Sequence, residues 1–265
     1  MSLDYPRAFG PSVRHALASD ELVEIGNDGP ISLLRPSGPE RDVLVLHQRP
    51  PATSPVLAEG ERLLWLAGRG SAPPLVASAR ADEGDEALVV RLSAGAVTAS
   101  DGHPMGPEAL VTALAEALRL LHALDTAECP LRADVAALRP MVDQQIERHG
   151  AASPDGPYAG REPAEVAALF DDALAALPAT DDPPVFVHAS LSASRLWFDP
   201  AGSVTLTGWG RGGVGDRHLD LAAAAMMLTE LHGPALVGPF FDAYGFDRVD
   251  LRRLDAFQML AALLK

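Results

Sequence analysis

Leu110, Leu114, Leu118 and Leu121 recur at steps of four, four and three along PEALVTALAEALRLLHAL. That spacing stacks them into one apolar stripe and commits the chain to a long helix from Pro107. Nothing on its N-terminal side has this texture. There the chain offers short β-prone runs, Leu22 to Ile25, Ile31 to Leu34, Val43 to His47 and Ala87 to Leu92, with GNDG and PSGPE between them, which read as an antiparallel sheet. One helix interrupts it: Ala58 to Ala67 (AEGERLLWLA) sets Leu63, Leu64 and Leu66 on one side and Glu59, Glu61 and Arg62 on the other.

Beyond the leucine stripe, helices are expected at Arg132 to His149, Pro163 to Leu177, Leu219 to Leu231, Ala235 to Tyr244 and Leu251 to Leu264, with a flexible loop from Gly150 to Arg161. Short β-prone pieces at Val185 to His188, Leu196 to Phe198 and Val204 to Thr207 lie among them, and FDPAGS suits a hairpin between the last two. The expected fold class is α+β, in a protein-kinase-like two-lobed arrangement. A small antiparallel β lobe with one helix occupies residues 1–95, and a larger, mainly helical lobe with a short β-hairpin occupies residues 96–265.

Charge narrows the function classes. Lys and Arg number 21 against 36 Asp and Glu, a formal charge of −15, which disfavours nucleic acid and anionic membrane and favours cationic partners. Cys129 has no second cysteine to pair with, so nothing demands an oxidising compartment and the cytoplasm is the expected location. The N-terminus has no basic stretch followed by an apolar run, and Leu221 to Leu228 is the longest apolar segment, far short of the roughly 20 residues that span a bilayer. The eight histidines include no His-x-His or HExxH pairing, so no metal site is expected from them.

The stretch from Pro184 to Ala222, PVFVHASLSASRLWFDPAGSVTLTGWGRGGVGDRHLDLA, resembles the catalytic segment of aminoglycoside 3'-phosphotransferases. That family's pattern is H-G-D-x-x-x-x-N, a hairpin ending in I-D-x-G-R, then G-x-A-D-R-x-x-D-L-A. His188, Leu191, the FDP turn, Gly210, Arg211, Asp216, Arg217, Asp220 and Leu221 fall into register with it. Leu118 to Leu124, containing His122, is similar to the preceding L-x-x-L-H-x-L helix, and Glu59 with RLLWLAGRG to the acidic helix of the small lobe.

The resemblance implies ATP and magnesium as cofactors, and it also shows where this chain departs. In kinases the catalytic-loop Asp takes the acceptor proton, while the Asn and the next Asp hold magnesium. Ser190, Arg195 and Gly208 stand at those three positions. A serine hydroxyl is no comparable base, an arginine repels a dication, and glycine has no side chain to ligate one. His47 falls where the family has the phosphate-gripping lysine, with Glu59, that lysine's usual partner, retained and available to pair with it. The glycine loop keeps Gly26 and Gly29 but puts Asp28 where a small hydroxyl residue is usual, and a carboxylate there repels a triphosphate. The family's terminal acidic pair falls on Ala261 and Ala262, and the chain ends in Lys265.

The function expected is therefore that of a pseudokinase, with no ATP or magnesium cofactor, whose partner is a small molecule or protein of unknown identity. The alternative is an ATP-dependent phosphotransferase acting through a non-standard site, with Asp216 or Asp220 recruited as metal ligand; a third reading is sequestration of a cationic small molecule. His188 is expected to bond backbone groups, and Asp216, Arg217 and Asp220 to form ion pairs that hold the loop. Trp65 and Trp197 are expected in the core, and Trp209 in the space left by lost metal and phosphate.

Overall fold

Val43, Leu44, Val45 and Leu46 are buried in succession, and a strand covered on both faces belongs in the middle of a sheet. A computed structural model describes residues 13, 15, 17, 22–28, 31–36, 42–49, 56–81, 84–101, 106–149, 158–179 and 182–264, with the backbone alone at 28, 145, 148 and 149. Two units divide the chain, one drawn from residues 1–104 with 194–210, the other from 105–193 with 211–265.

In the first unit β1 (Leu22–Asp28), β2 (Ile31–Pro36), β3 (Val43–Gln48), β4 (Leu75–Arg80) and β5 (Glu86–Arg91) form an antiparallel sheet in the order β1-β2-β3-β5-β4. One face gathers Leu34, Val43, Val45, Ala87 and Val89 with Val13 and Leu17. The other carries Leu88, on which α1 (Val56–Trp65) packs so closely that a Cβ on Gly60 would lie 3.3 Å from Leu88 Cδ1. Glu59, Leu63 and Leu66 are buried along α1 and its continuation, at 1%, 2% and 1% exposure. Steps of four and three keep them on one face, which corrects the expected division of this helix: Glu59 is inside and Leu64 is 67% exposed. Strand β4 went unrecognised in the sequence. It alternates between half-buried and exposed, but its inward residues after Leu75 are Ala77 and Ala79, too small to give the alternation any hydrophobic amplitude.

Also in this unit, β6 (Val97–Thr98) pairs with β8 (Leu196–Phe198), which pairs with β9 (Val204–Leu206). The FDPAGS hairpin forms as expected, with Asp199 Oδ1 accepting from the N–H groups of Ala201 at 2.9 Å and Ser203 at 2.8 Å. The β6 pairing places this hairpin in the first unit. The hairpin was expected in the larger lobe, because adjacency in sequence is a poor guide to a strand partner a hundred residues away. Trp197 is in the core at 2% exposure. Trp65 is not; it is half-buried, with the Arg69 guanidinium 4.6 Å above its ring.

The second unit contains α2 (Pro107–His122), α3 (Val135–His149), α4 (Pro163–Ala176), α5 (His218–His232), α6 (Val237–Tyr244) and α7 (Leu251–Leu263), with β7 (Val185–Val187) paired to β10 (Gly213–Gly215). The leucine stripe of α2 is buried; α2 packs on α6, and α5 and α4 pack on α7. Helix α3 begins later than expected because Asp134 caps it, Oδ1 accepting from Ala137 N–H at 3.0 Å. Asp250 caps α7 in the same way through the N–H groups of Arg252 and Arg253. Of the expected 150–161 loop, residues 150–157 lie outside the described residues. Among the described residues no helix is long and apolar enough to cross a membrane.

Strand β10 lies against the backbone that precedes α3, bridged through Val214 and Arg132. A Cβ on Gly215 would sit 2.5 Å from the Ala133 carbonyl oxygen, whereas one on Gly26 would meet nothing within 4 Å. Gly215→Ala is therefore expected to lower stability by about 2 kcal/mol or more, since backbone cannot move aside as a side chain can. Gly26→Ala is expected to stay within about 0.5 kcal/mol of the parent. Urea denaturation of the two variants measures both.

Candidate functional site

The catalytic-loop equivalent in the second unit is built on one carboxylate. Asp220, in the first turn of α5, is fully buried. It accepts from the backbone N–H of His188 at 2.7 Å and of Ala189 at 2.8 Å, and pairs with His122 Nε2 at 3.2 Å. An ionised carboxylate only accepts, so Nε2 of His122 carries a proton. Its Nδ1 lies 2.8 Å from the Tyr244 hydroxyl. Burial pushes the Asp220 carboxyl up, but the hydrogen bond and charge of His122, with those of His188, outweigh it and hold the group below its usual range. These contacts hold the loop, the role expected of Asp220 from the sequence.

His188 is buried and its Nδ1 accepts the Ser190 N–H at 3.3 Å, the backbone-bonding role expected of it. Ala189 has φ of +59°, where a residue with a Cβ is disfavoured by about 1 kcal/mol or more. The family pattern has glycine at this place. Asp216 pairs with His218 Nδ1 at 2.7 Å and Arg253 at 2.8 Å. Burial raises its carboxyl, and His218 and Arg253 together bring it below the ordinary value.

In the first unit, Gly208 sits at φ +80°, and its N–H donates to the buried Glu59 carboxylate at 2.9 Å. A Cβ on Gly208 would lie 2.5 Å from Arg195 Cδ, 2.7 Å from Nε and 3.2 Å from Cγ. The Arg195 side chain thus lies across the place where an aspartate side chain would start. Its backbone is fixed there: Thr207 N–H donates to the Arg195 carbonyl at 2.9 Å, and Trp197 Nε1 donates to Thr207 Oγ1 at 3.1 Å. These two positions, the family's metal ligands by resemblance, therefore do not fit a divalent ion: one contributes a cation and the other no atom at all. Trp209 is fully buried with Nε1 bonded to the Leu206 carbonyl at 2.6 Å. Among the described residues no group of three or more His, Cys, Asp or Glu side chains is arranged to hold a metal.

His47 differs most from expectation. Its Nε2 pairs with Asp85 Oδ1 at 2.9 Å, and by alternation it shares the face of Val45, away from Leu88 and α1. Burial pushes its imidazole down against the lift from Asp85. The next residue, Gln48, shares the α1 face with Leu46. It is 3% exposed, and its Oε1 is buried without a hydrogen-bond partner, as is Oε2 of Glu86 directly across the strand pair. A slip of one residue in a strand exchanges faces, so the neutral amide of Gln48 is the group the sequence reading missed. Counting alternation back from Leu44 and Leu46 would have found it. Gly26 lies in β1, with a register shift between Glu24 and Gly26. Gly29 and the side chain of Asp28 lie outside the described residues.

Comparisons with known proteins bear on the family and the fold. A sequence model described as "Phosphotransferase enzyme family" matches residues 26–257. An aminoglycoside 3'-phosphotransferase of Streptomyces fradiae is 33% identical over 224 residues, covering 76% of this chain and 77% of the relative. One of Streptomyces ribosidificus is 30% identical over 253 residues, covering 90% and 93%. Among solved structures, a type VIII aminoglycoside-3'-phosphotransferase superposes with a TM-score of 0.75 at 25% identity, covering 95% of this chain and 97% of the other. An aminoglycoside phosphotransferase of Streptomyces rimosus, at 18% identity and a TM-score of 0.77, shares the fold.

Two outcomes follow for the loop held by Asp220. Ala189→Gly relieves the left-handed backbone and is expected to raise stability by about 0.5–1 kcal/mol in urea denaturation. Asp216 and Asp220 both have depressed folded-state values. Their contribution is fully present above the unfolded carboxyl value of about 3.9 and is lost as pH falls through the lower folded values. A pH series of thermal melts should show a steep fall below roughly pH 4, and Asp220→Asn should flatten it.

Proposed function

Because the chain belongs to the phosphotransferase enzyme family, we propose that it keeps the family's scaffold for binding and no longer transfers phosphate, acting as a pseudokinase. The observation that carries this reading is the Arg195 side chain lying across Gly208. The two substitutions are not independent losses, because the side chain at one position occupies the room that a ligand at the other would need. Ser190 stands where the acceptor's general base would be, and loss of a positioned base alone costs about 10²- to 10⁴-fold. The neutral Gln48 amide on the α1 face supplies no positive charge for a phosphate, and His47 is turned to Asp85.

The alternative, transfer through Asp216 or Asp220 as a substitute metal ligand, is opposed by their existing bonds. Asp220 accepts from two backbone N–H groups and His122, and Asp216 holds His218 and Arg253. Freeing either would leave buried donors unsatisfied.

On this reading the relatives' aminoglycoside substrates are not phosphorylated by this chain, whose acceptor-binding acidic pair is replaced by Ala261 and Ala262. Its partner is a small molecule or protein rather than nucleic acid or membrane, given the charge of −15, and its location is the cytoplasm. Transfer of labelled γ-phosphate from ATP to a panel of aminoglycosides and to water, each with excess magnesium, tests it. The wild type and Ser190→Asp are both expected at background. A clear gain from Ser190→Asp alone would show a working metal site and end the proposal. Combining Ser190→Asp with Arg195→Asn and Gly208→Asp is the smallest set expected to restore any turnover.

A further inference from the structure

The geometry points to a further binding site within the second unit, a cleft that takes a small organic carboxylate. The cleft has a volume of about 230 Å³ and is walled by Arg132, Arg217 and Arg253 together with Pro183, Pro184 and Val214. It lies at the end of the β7–β10 pair where Gly215 faces Val185. His188 and Ser190 follow from the other end of β7. A three-residue strand, roughly 10 Å long at about 3.3 Å per residue, therefore separates the cleft from the loop that Asp220 holds.

The hydrogen-bonding capacity of this wall is one-sided. Arg132 directs Nε and Nη2 to Asp134 Oδ2, at 2.9 and 2.6 Å. Arg253 directs Nη1 to Asp216 Oδ2 at 2.8 Å and Nη2 to the Pro178 carbonyl at 3.1 Å. Among the described residues, Arg132 Nη1 and Arg253 Nε stand outside those bonds. Asp134 and Asp216 line the cleft too, but each has both oxygens engaged. Asp134 Oδ1 accepts the Ala137 N–H, and Asp216 Oδ1 accepts the His218 N–H and pairs with the His218 ring. A guanidinium has five N–H donors and no acceptor, whereas an ionised carboxylate only accepts. What the wall has left to offer is donors, in the fork geometry that a carboxylate matches. The same ion pairs hold both guanidinium groups before a ligand arrives, so less side-chain freedom is lost on binding.

Charge and surface narrow the class. Three arginines line the cleft against three aspartates, the third being the exposed Asp182. That balance leaves no surplus positive charge for a polyanion, and the chain's charge of −15 opposes one. A singly charged group suits it better. Pro183, Pro184 and Val214 present apolar carbon, which covers the body of a ligand whose carboxylate reaches the arginines.

Calorimetric titration of the whole protein at pH 7, without nucleotide or magnesium, tests this with benzoate, acetate, inorganic phosphate, benzyl alcohol and benzylammonium. Benzoate is expected to bind and to raise the melting temperature by mass action. Acetate lacks the apolar body and benzyl alcohol lacks the charge, so each should bind about tenfold more weakly or worse. Phosphate and benzylammonium should be weaker than benzoate as well. Arg132→Ala should weaken benzoate about tenfold while its urea midpoint stays near the parent's, since 57% of that side chain is exposed. Arg253→Lys keeps the charge, loses the fork and should also weaken benzoate; should it unfold, the Arg132 variant decides alone. No binding of benzoate, equal binding of acetate or benzyl alcohol, or tighter binding of phosphate or benzylammonium would each overturn the inference. So would an affinity unchanged in Arg132→Ala. No probe is a phosphoryl donor, so the γ-phosphate transfer assay judges the loss of activity separately.

Discussion

The loop that would carry the chemistry depends on the Asp220 carboxylate. It gathers the N–H groups of His188 and Ala189 and the ring of His122 into one buried cluster, with Tyr244 closing the far side of that ring. Each of those donors would be orphaned without it, at roughly 1–3 kcal/mol apiece. The cluster holds the backbone of the loop that corresponds to the family's catalytic segment. On the proposed reading, the residues that shape this backbone stay in place while those that would touch a metal or an acceptor differ from the family pattern.

The replacements also fit one another. Gly208 tolerates the left-handed backbone, offers its N–H to Glu59, and leaves room that Arg195 fills. Thr207 and Trp197 pin the hairpin so that this filling is the resting arrangement. The Glu59 carboxylate accepts the Gly208 N–H, at the position where the resemblance would put a metal ligand. A set of changes that accommodate each other in this way is a repacked site, and reverting one member strains the rest. Ala189 is the exception: its positive φ is a local strain that nothing nearby relieves.

Much of this was legible in the sequence because it rests on local patterns. The α2 leucine stripe, the FDPAGS hairpin and the H-x-x-x-x-x-x-x register from His188 to Arg195 all follow from spacing or turn chemistry. What escaped was decided by pairing between distant segments. Strand β4 packs through alanines that carry little hydrophobic signal, and the hairpin joins the first unit through β6. The assignment of His47 failed for a sharper reason. Motif alignment put it at the lysine position, but in a strand that is buried throughout, hydrophobicity does not say which side chains face α1, and the Leu88–Gly60 contact assigns that face to Gln48. The stem of Arg195 over Gly208 could not be read at all, since side-chain paths across a hairpin leave no trace in residue order.

The central claim is that no divalent ion is held where the family holds one. Manganese, which reports its own coordination by electron paramagnetic resonance, measures this directly when titrated into the protein with and without saturating ATP. The account predicts that all bound manganese is accounted for by free ATP, with no protein-dependent signal, and that the Arg195→Asn, Gly208→Asp pair creates one. A stoichiometric manganese site on the unaltered protein would contradict it.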